Sequence, residues 1–193
     1  MAVVREILYC ASAVTWAAWL SAHHDDSEGV RLAIAKKGGG HPSVSYAEAV
    51  EEALCYGWID GQKGSLDEHH FLQNFGPRRP QSIWSKINVE KAEALVAAGR
   101  MHPSGLAEVD RAKANGRWDA AYSGSKTIEV ADDLTAALAE NPDAAAFFST
   151  LSGQNRYAIL FRIGNVKRPE TRARKITEYV AMLARGETIY PQK

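Results

Sequence analysis

At Gly57 the hydrophobic period of this chain changes, and that change limits the fold more than any other feature of its 193 residues. Upstream, Ser45 to Glu48 reads as a capping box, and the repeat of Ala49, Val50, Ala53 and Leu54 gives an amphipathic helix that Gly57 ends. From Trp58 the apolar residues alternate instead, over Trp58 to Gly64 and again over Leu66 to Phe75, the period of two strands joined by a glycine turn at Gly64–Ser65. A helix that runs straight into a hairpin needs a sheet to pack on. Earlier signals agree: Glu6 to Tyr9 reads as a short strand, and Ser12 caps a helix to about Ala22 with Trp16, Trp19 and Leu20 inward. Val30 to Ala35 reads as a further strand, ended by Lys36 and Lys37 before a Gly38–Gly40 loop.

Further along, Asn88 is expected to cap a helix over Val89 to Ala98 that stops at Gly99. Pro103 opens another, with Leu106, Val109 and Ala112 inward and Gly116 at its end. Arg117 to Tyr122 supplies two aromatics and an Arg/Asp pair, read as a structural plug. Ser123 to Ile128 is polar and glycine-bearing, the best linker in the chain. Beyond it all the periodicity is helical: Asp132 or Asp133 caps one helix, Asn141-Pro142 opens a second, Ser152 caps a third, and Pro169 starts a last one carrying Ile176, Val180 and Leu183. The expectation is an α+β fold, with a small antiparallel sheet and flanking helices in residues 1–125 and a helical domain in residues 130–193.

Composition narrows the function classes. Lys+Arg and Asp+Glu are both 23, so no global charge recruits nucleic acid or an anionic membrane, and any anion site is local. Cys10 and Cys55 lack metal-ligand spacing and are expected as reduced core residues. The run His23 to Asp26 offers two histidines and two carboxylates, but neighbours at a helix end point in different directions and the rest of a ligand set is missing, so no metal is expected. Ile7 to Ala22 is mostly apolar and ends faintly like a signal-peptidase site, yet Glu6 follows Arg5 at once and the tryptophans keep helical spacing. Without about 18 uninterrupted apolar residues elsewhere, no membrane insertion is expected, and the location is expected to be cytoplasmic.

The densest chemistry lies in Gly76 to Asn88. Pro77 and Pro80 stiffen a segment that holds Arg78 and Arg79, and a guanidinium held in place loses less freedom on pairing with a phosphate or carboxylate. Lys86 adds a point charge and Trp84 or Trp58 an apolar wall, while Asp60 and the His69-His70 pair are expected near the base of the hairpin that carries the arginines. The plainer reading makes the arginines partners of the protein's own carboxylates, with Trp84 a core plug. A second basic cluster, Lys167, Arg168, Arg172, Arg174 and Lys175, sits at the start of the last helix. There the macrodipole disfavours it, which points to an acidic partner or to a solvated face.

Four stretches, Ser45 to Gly61, Pro77 to Asn88, Gly116 to Tyr122 and Lys167 to Lys175, resemble the YdeI/OmpD-associated (bacteriocin-protection) family of small bacterial proteins. The most specific is the Pro77 to Asn88 run. Gly76 stands where that resemblance leads one to expect threonine, and Asn165-Val166 where alanine usually precedes the Lys-Arg-Pro segment, so one hydroxyl is absent from the loop. The resemblance implies an α+β N-terminal part with a helical C-terminal segment, and an association with protection against bacteriocins or antimicrobial peptides. It implies no catalytic residue and no cofactor.

Three functions follow as expectations. The first is a non-enzymatic binding or stress-protection protein that grips an unknown small anionic ligand, or an acidic protein partner, with Arg78, Arg79 and Lys86. The second is a small hydrolase or isomerase, using Asp60, His69 or His70 as base and an arginine as clamp; no nucleophile elbow, zinc motif or dinucleotide fingerprint supports it. The third, ranked last because the net charge is zero, is weak nucleic-acid binding.

Overall fold

A computed structural model describes residues 6–38 and 40–192, so Gly39 of the expected glycine loop and the N-terminal residues as far as Arg5 lie outside the described residues. The chain divides into two compact units, Met1–Ala121 and Tyr122–Lys193. The fold is α+β, and the C-terminal region is helical.

In the first unit β1 (Ile7–Tyr9), β2 (Val30–Ala35), β3 (Trp58–Ser65) and β4 (His70–Pro77) form one sheet in the order β1-β2-β4-β3. The hairpin and the β2–β4 pair are antiparallel, as the alternation suggested. β1 pairs parallel with β2, because α1 (Ala13–His23) provides the crossover that a parallel pair requires; the sheet is therefore mixed. Leu32, Ile34 and Phe75 pack against Trp16 and Leu20 of α1 and against Val50 and Leu54 of α2 (Tyr46–Cys55), burying the face that the alternation marked as apolar. The indole N–H groups find acceptors inside: Trp16 donates to Ala49 O at 3.1 Å and Trp58 to His24 O at 3.2 Å.

Local chemistry fixes the element ends. Ser12 and Ser45 both complete capping boxes. α3 (Lys86–Ala97) begins earlier than expected, because the Ser85 hydroxyl accepts the N–H of Asn88 and so becomes the cap, leaving Asn88 inside the first turn. In α4 (Pro103–Ala114) the buried face is Gly105, Val109 and Ala112, while Leu106 is 38% exposed. Gly105 turns inward because α4 approaches the end of α2 so closely that a Cβ there would lie 2.2 Å from Cys55 O. Cys10 and Cys55 are free and buried, and burial pushes the Cys55 thiol up to about 11.

The hairpin turn lies further along than its glycine suggested. Ser65 still pairs with Phe71, and Gly64 sits opposite Leu72. The reversal occurs in residues 66–69, where the Asp67 carboxylate accepts the N–H groups of His69 at 2.8 Å and His70 at 2.6 Å. Between Asp60 and Lys63 the register shifts; Gln73 Nε2 donates to Gly61 O at 2.7 Å and Asn74 Nδ2 to Gln62 O at 2.6 Å, so side-chain amides satisfy the carbonyls that the irregular ladder frees.

The second unit packs α5 (Asp132–Ala139), α6 (Pro142–Ser149), α7 (Gly153–Gly164) and α8 (Pro169–Ala184) around Leu134, Phe148, Ile159, Ile163, Ile176 and Leu183. Asn141 and Ser152 cap α6 and α7. α5 has no side-chain cap: Ala131 holds the cap position, and Asp132 and Asp133 fall in the first turn, where carboxylates favour the macrodipole. The buried Asn155 accepts the N–H of Tyr190 at 2.9 Å and donates to its carbonyl at 3.0 Å, fastening the C-terminal segment to α7.

Candidate functional site

The arginine loop leaves β4 at Pro77 and is pinned at once, the Arg78 N–H donating to Gly57 O at 3.1 Å. A tight turn follows, with Ser82 N–H donating to Arg79 O at 2.9 Å and Arg79 N–H to the Ser82 hydroxyl at 3.0 Å. Neighbours on an extended segment face opposite ways. Arg78 therefore turns in and Arg79 turns out, and the two lead different lives.

Arg78 is 6% exposed, its guanidinium carbon 3.6 Å from the centroid of the Trp84 ring. It donates to Ile83 O at 3.3 Å, and Trp84 packs in turn on Trp118 with ring centroids 4.9 Å apart. From the far side Arg111 pairs with Glu108 and reaches Arg78 O at 3.5 Å, while Arg117 donates to Pro80 O. Burial pushes the Glu108 carboxyl up despite the cations of Arg111 and Arg78 beside it. These arginines hold the main chain of the loop, which leaves Arg79 on a fixed platform.

Two spaces flank this loop, and their sizes separate them. Where Arg78, Arg79, Arg111 and Arg117 converge with Glu108, the free volume is about 10 Å³. That is room for about one water, and no polyatomic anion fits. On the other side a groove of about 630 Å³ is lined by Arg79 and Ser82, by Glu28, Asp60 and Asn74, and by Pro77 and Pro80. Small-molecule sites occupy about 300–1,000 Å³. Only the second space has the capacity for a ligand, and the exposed cation it offers is Arg79.

Asp60 lies in that groove, one carboxylate oxygen accepting the Tyr46 phenol at 2.7 Å. Trp84 lies beneath Arg78 rather than on the groove wall, and Trp58 is buried at 1% exposure against Trp16 and Trp19. Neither serves as the apolar wall. Lys86 is exposed at the first residue of α3 and does not line the groove. The histidines are not brought to Asp60: its strand partner is Phe75, and His70 lies five residues back along β4, about 17 Å away. At that distant tip His69 Nε2 lies 3.0 Å from Glu68, His70 Nδ1 lies 3.2 Å from Asp67, and the His41 ring lies 4.5 Å from that of His69. Among the described residues no three His, Cys, Asp or Glu side chains are placed to hold a metal ion.

The basic cluster of the second unit is divided among local partners. Arg172 makes a two-pronged contact with Asp133 at 2.5 and 2.8 Å and closes the end of α7 by donating to Ile163 O at 2.8 Å. Arg174 lies 3.6 Å from Glu178, and Lys175 lies 5.9 Å from the centroid of the Tyr179 ring. Lys167 and Arg168 remain exposed. The residues that sequence reasoning missed are Glu28, Asn74, Glu108 and Arg111. Glu108 and Arg111 carried one usable signal, an i,i+3 charge pair on a predicted helix.

Residues 8–108 match a family model described as Domain of unknown function (DUF8412), and residues 127–186 match one described as Bacteriocin-protection, YdeI or OmpD-Associated. The first match spans more than half of the chain. No curated protein and no solved structure matches it.

Proposed function

We propose that this chain, which belongs to the YdeI/OmpD-associated family through its second unit and to the DUF8412 domain family through its first, is a non-enzymatic binding protein that takes a small anionic group at Arg79. One observation carries this reading: an exposed guanidinium stands in a ligand-sized groove, on a loop whose main chain is already held by Arg111, Arg117 and Gly57. Ordering of the loop then costs little at the moment of binding, which favours affinity. The bacteriocin-protection description of the second unit's family supports a protective role over a metabolic one.

Catalysis gains no support. Asp60 and the histidines lie at opposite ends of the hairpin, so the base and its helper do not share a site. Nucleic-acid binding draws little more, because it needs several phosphate contacts and Arg172 and Arg174 of the second cluster already face Asp133 and Glu178.

The test is thermal unfolding with phosphate, a nucleotide and small carboxylates. A ligand at about ten times its Kd adds about 1.4 kcal/mol, a shift of several degrees, and Arg79→Ala abolishes it. If none of these anions stabilises the protein, the proposal fails.

A further inference from the structure

We infer that the groove reads both ends of a short zwitterionic peptide, its carboxylate at Arg79 and its ammonium at Asp60. This deepens the anion reading above and rests on it. The groove is not a uniformly positive surface: Glu28 and Asp60 line it together with Arg79, and Asn74 and Ser82 add neutral polar groups to the lining. A purely anionic ligand at Arg79 leaves the carboxylates of Glu28 and Asp60 in the same groove without a charged partner. A ligand with charges of both signs finds an opposite charge in the groove for each of its own.

The spacing leaves room for a short peptide. Asp60 stands opposite Phe75 in the ladder, and Arg79 lies four residues beyond Phe75, so with the cross-strand step of about 5 Å their backbones are at most about 19 Å apart. Three extended residues cover about 10 Å, a length that fits within that limit. Tyr46 also donates its phenol to Oδ2 of Asp60 at 2.7 Å, which restrains a carboxylate that lines the groove. Pro77 and Pro80 add apolar lining that small side chains of such a peptide would meet.

The probes are trialanine, N-acetyl-trialanine, trialanine amide and acetate, titrated calorimetrically into the full chain. Trialanine is expected to bind, and blocking either end to weaken it by about tenfold or more. Asp60→Asn should bring trialanine down to the level of the N-acetyl form and leave the N-acetyl form unchanged. Tyr46→Phe, which keeps the ring and the fold, should weaken trialanine by a smaller factor. If N-acetyl-trialanine binds as tightly as trialanine, or Asp60→Asn changes nothing, the ammonium is not read and the zwitterion proposal is overturned while the anion reading stands. If trialanine, its N-acetyl form and acetate all fail to bind, or bind equally to Arg79→Ala, both readings fall.

Discussion

The two basic clusters of this protein look alike as strings of residues and differ in what the fold has done with them. In the second unit Arg172 is enclosed between Asp133 and Ile163 O, Arg174 faces Glu178 and Lys175 lies near Tyr179, so the cluster largely serves the unit's own helices. In the first unit Arg78, Arg111 and Arg117 are similarly turned inward, on Trp84, Glu108 and the carbonyls of Arg78 and Pro80, but their combined effect is to hold a loop that presents Arg79 to a groove. A cluster of cations is thus a poor guide to a site. What distinguishes the loop is one cation left facing ligand-sized space by neighbours that have been used for structure.

The severest way to break this contrast is to remove the platform. Trp84→Ala takes away the ring on which Arg78 stacks and a partner of Trp118, and should destabilise the first unit by about 3–5 kcal/mol. Intrinsic fluorescence reads that unit selectively, because Trp16, Trp19, Trp58, Trp84 and Trp118, all 5 tryptophans of the chain, lie within it. An unfolding midpoint close to wild type would show that the loop is not built on the core. Gly105→Ala comes next. Its Cβ meets backbone at Cys55 that cannot move aside, and a loss of about 2–3 kcal/mol is expected in the same fluorescence transition.

A milder change sharpens the other half of the comparison. Arg172→Met removes the two-pronged contact with Asp133, and because the pair is partly exposed the loss at neutral pH should be only about 1 kcal/mol, seen as faster amide exchange in α5. The pH dependence has a definite sign. Hydrogen bonding and charge from Arg172 hold the Asp133 carboxyl below its ordinary value, so the stabilisation is complete above the unfolded-state pKa and is lost as the pH falls through the depressed native one. Arg172→Met should flatten that acid loss of protection in α5; an unchanged acid limb would count against the pair. Smallest of all, Arg79→Ala should alter stability by no more than about 0.5 kcal/mol while removing the stabilisation by ligand, since the turn around it is made by main-chain and Ser82 bonds that the substitution spares.

Much of the fold was legible because its signals are local. Ser12, Ser45, Asn141 and Ser152 each cap the helix that follows them, and the switch of period at Gly57 marks the junction of α2 with β3. The misreadings arose where two local signals competed. Ser85 and Asn88 are both good caps three residues apart, and the chain uses the first. Gly64 looked like a turn, but Asp67 makes a better one by accepting two N–H groups, which moves the reversal onward and carries the histidines to the far tip. The site was only half legible. Sequence places Arg78 and Arg79 on equal terms; which one is buried depends on Trp84 behind the loop and on Glu108, Arg111 and Arg117, which lie about thirty residues away in the chain and were invisible as neighbours. Asp60 was named for a different partner, and Glu28 carried no signal at all, being set beside it only by the pairing of β2, β4 and β3.

The most direct measurement is a titration with trialanine that follows the guanidinium Nε–Hε resonances of Arg78, Arg79 and Arg172 by NMR in one sample. Arg79 should move with saturable amplitude while Arg78 and Arg172 stay in place. Movement of Arg172 with Arg79 silent would contradict the assignment of the exposed cation.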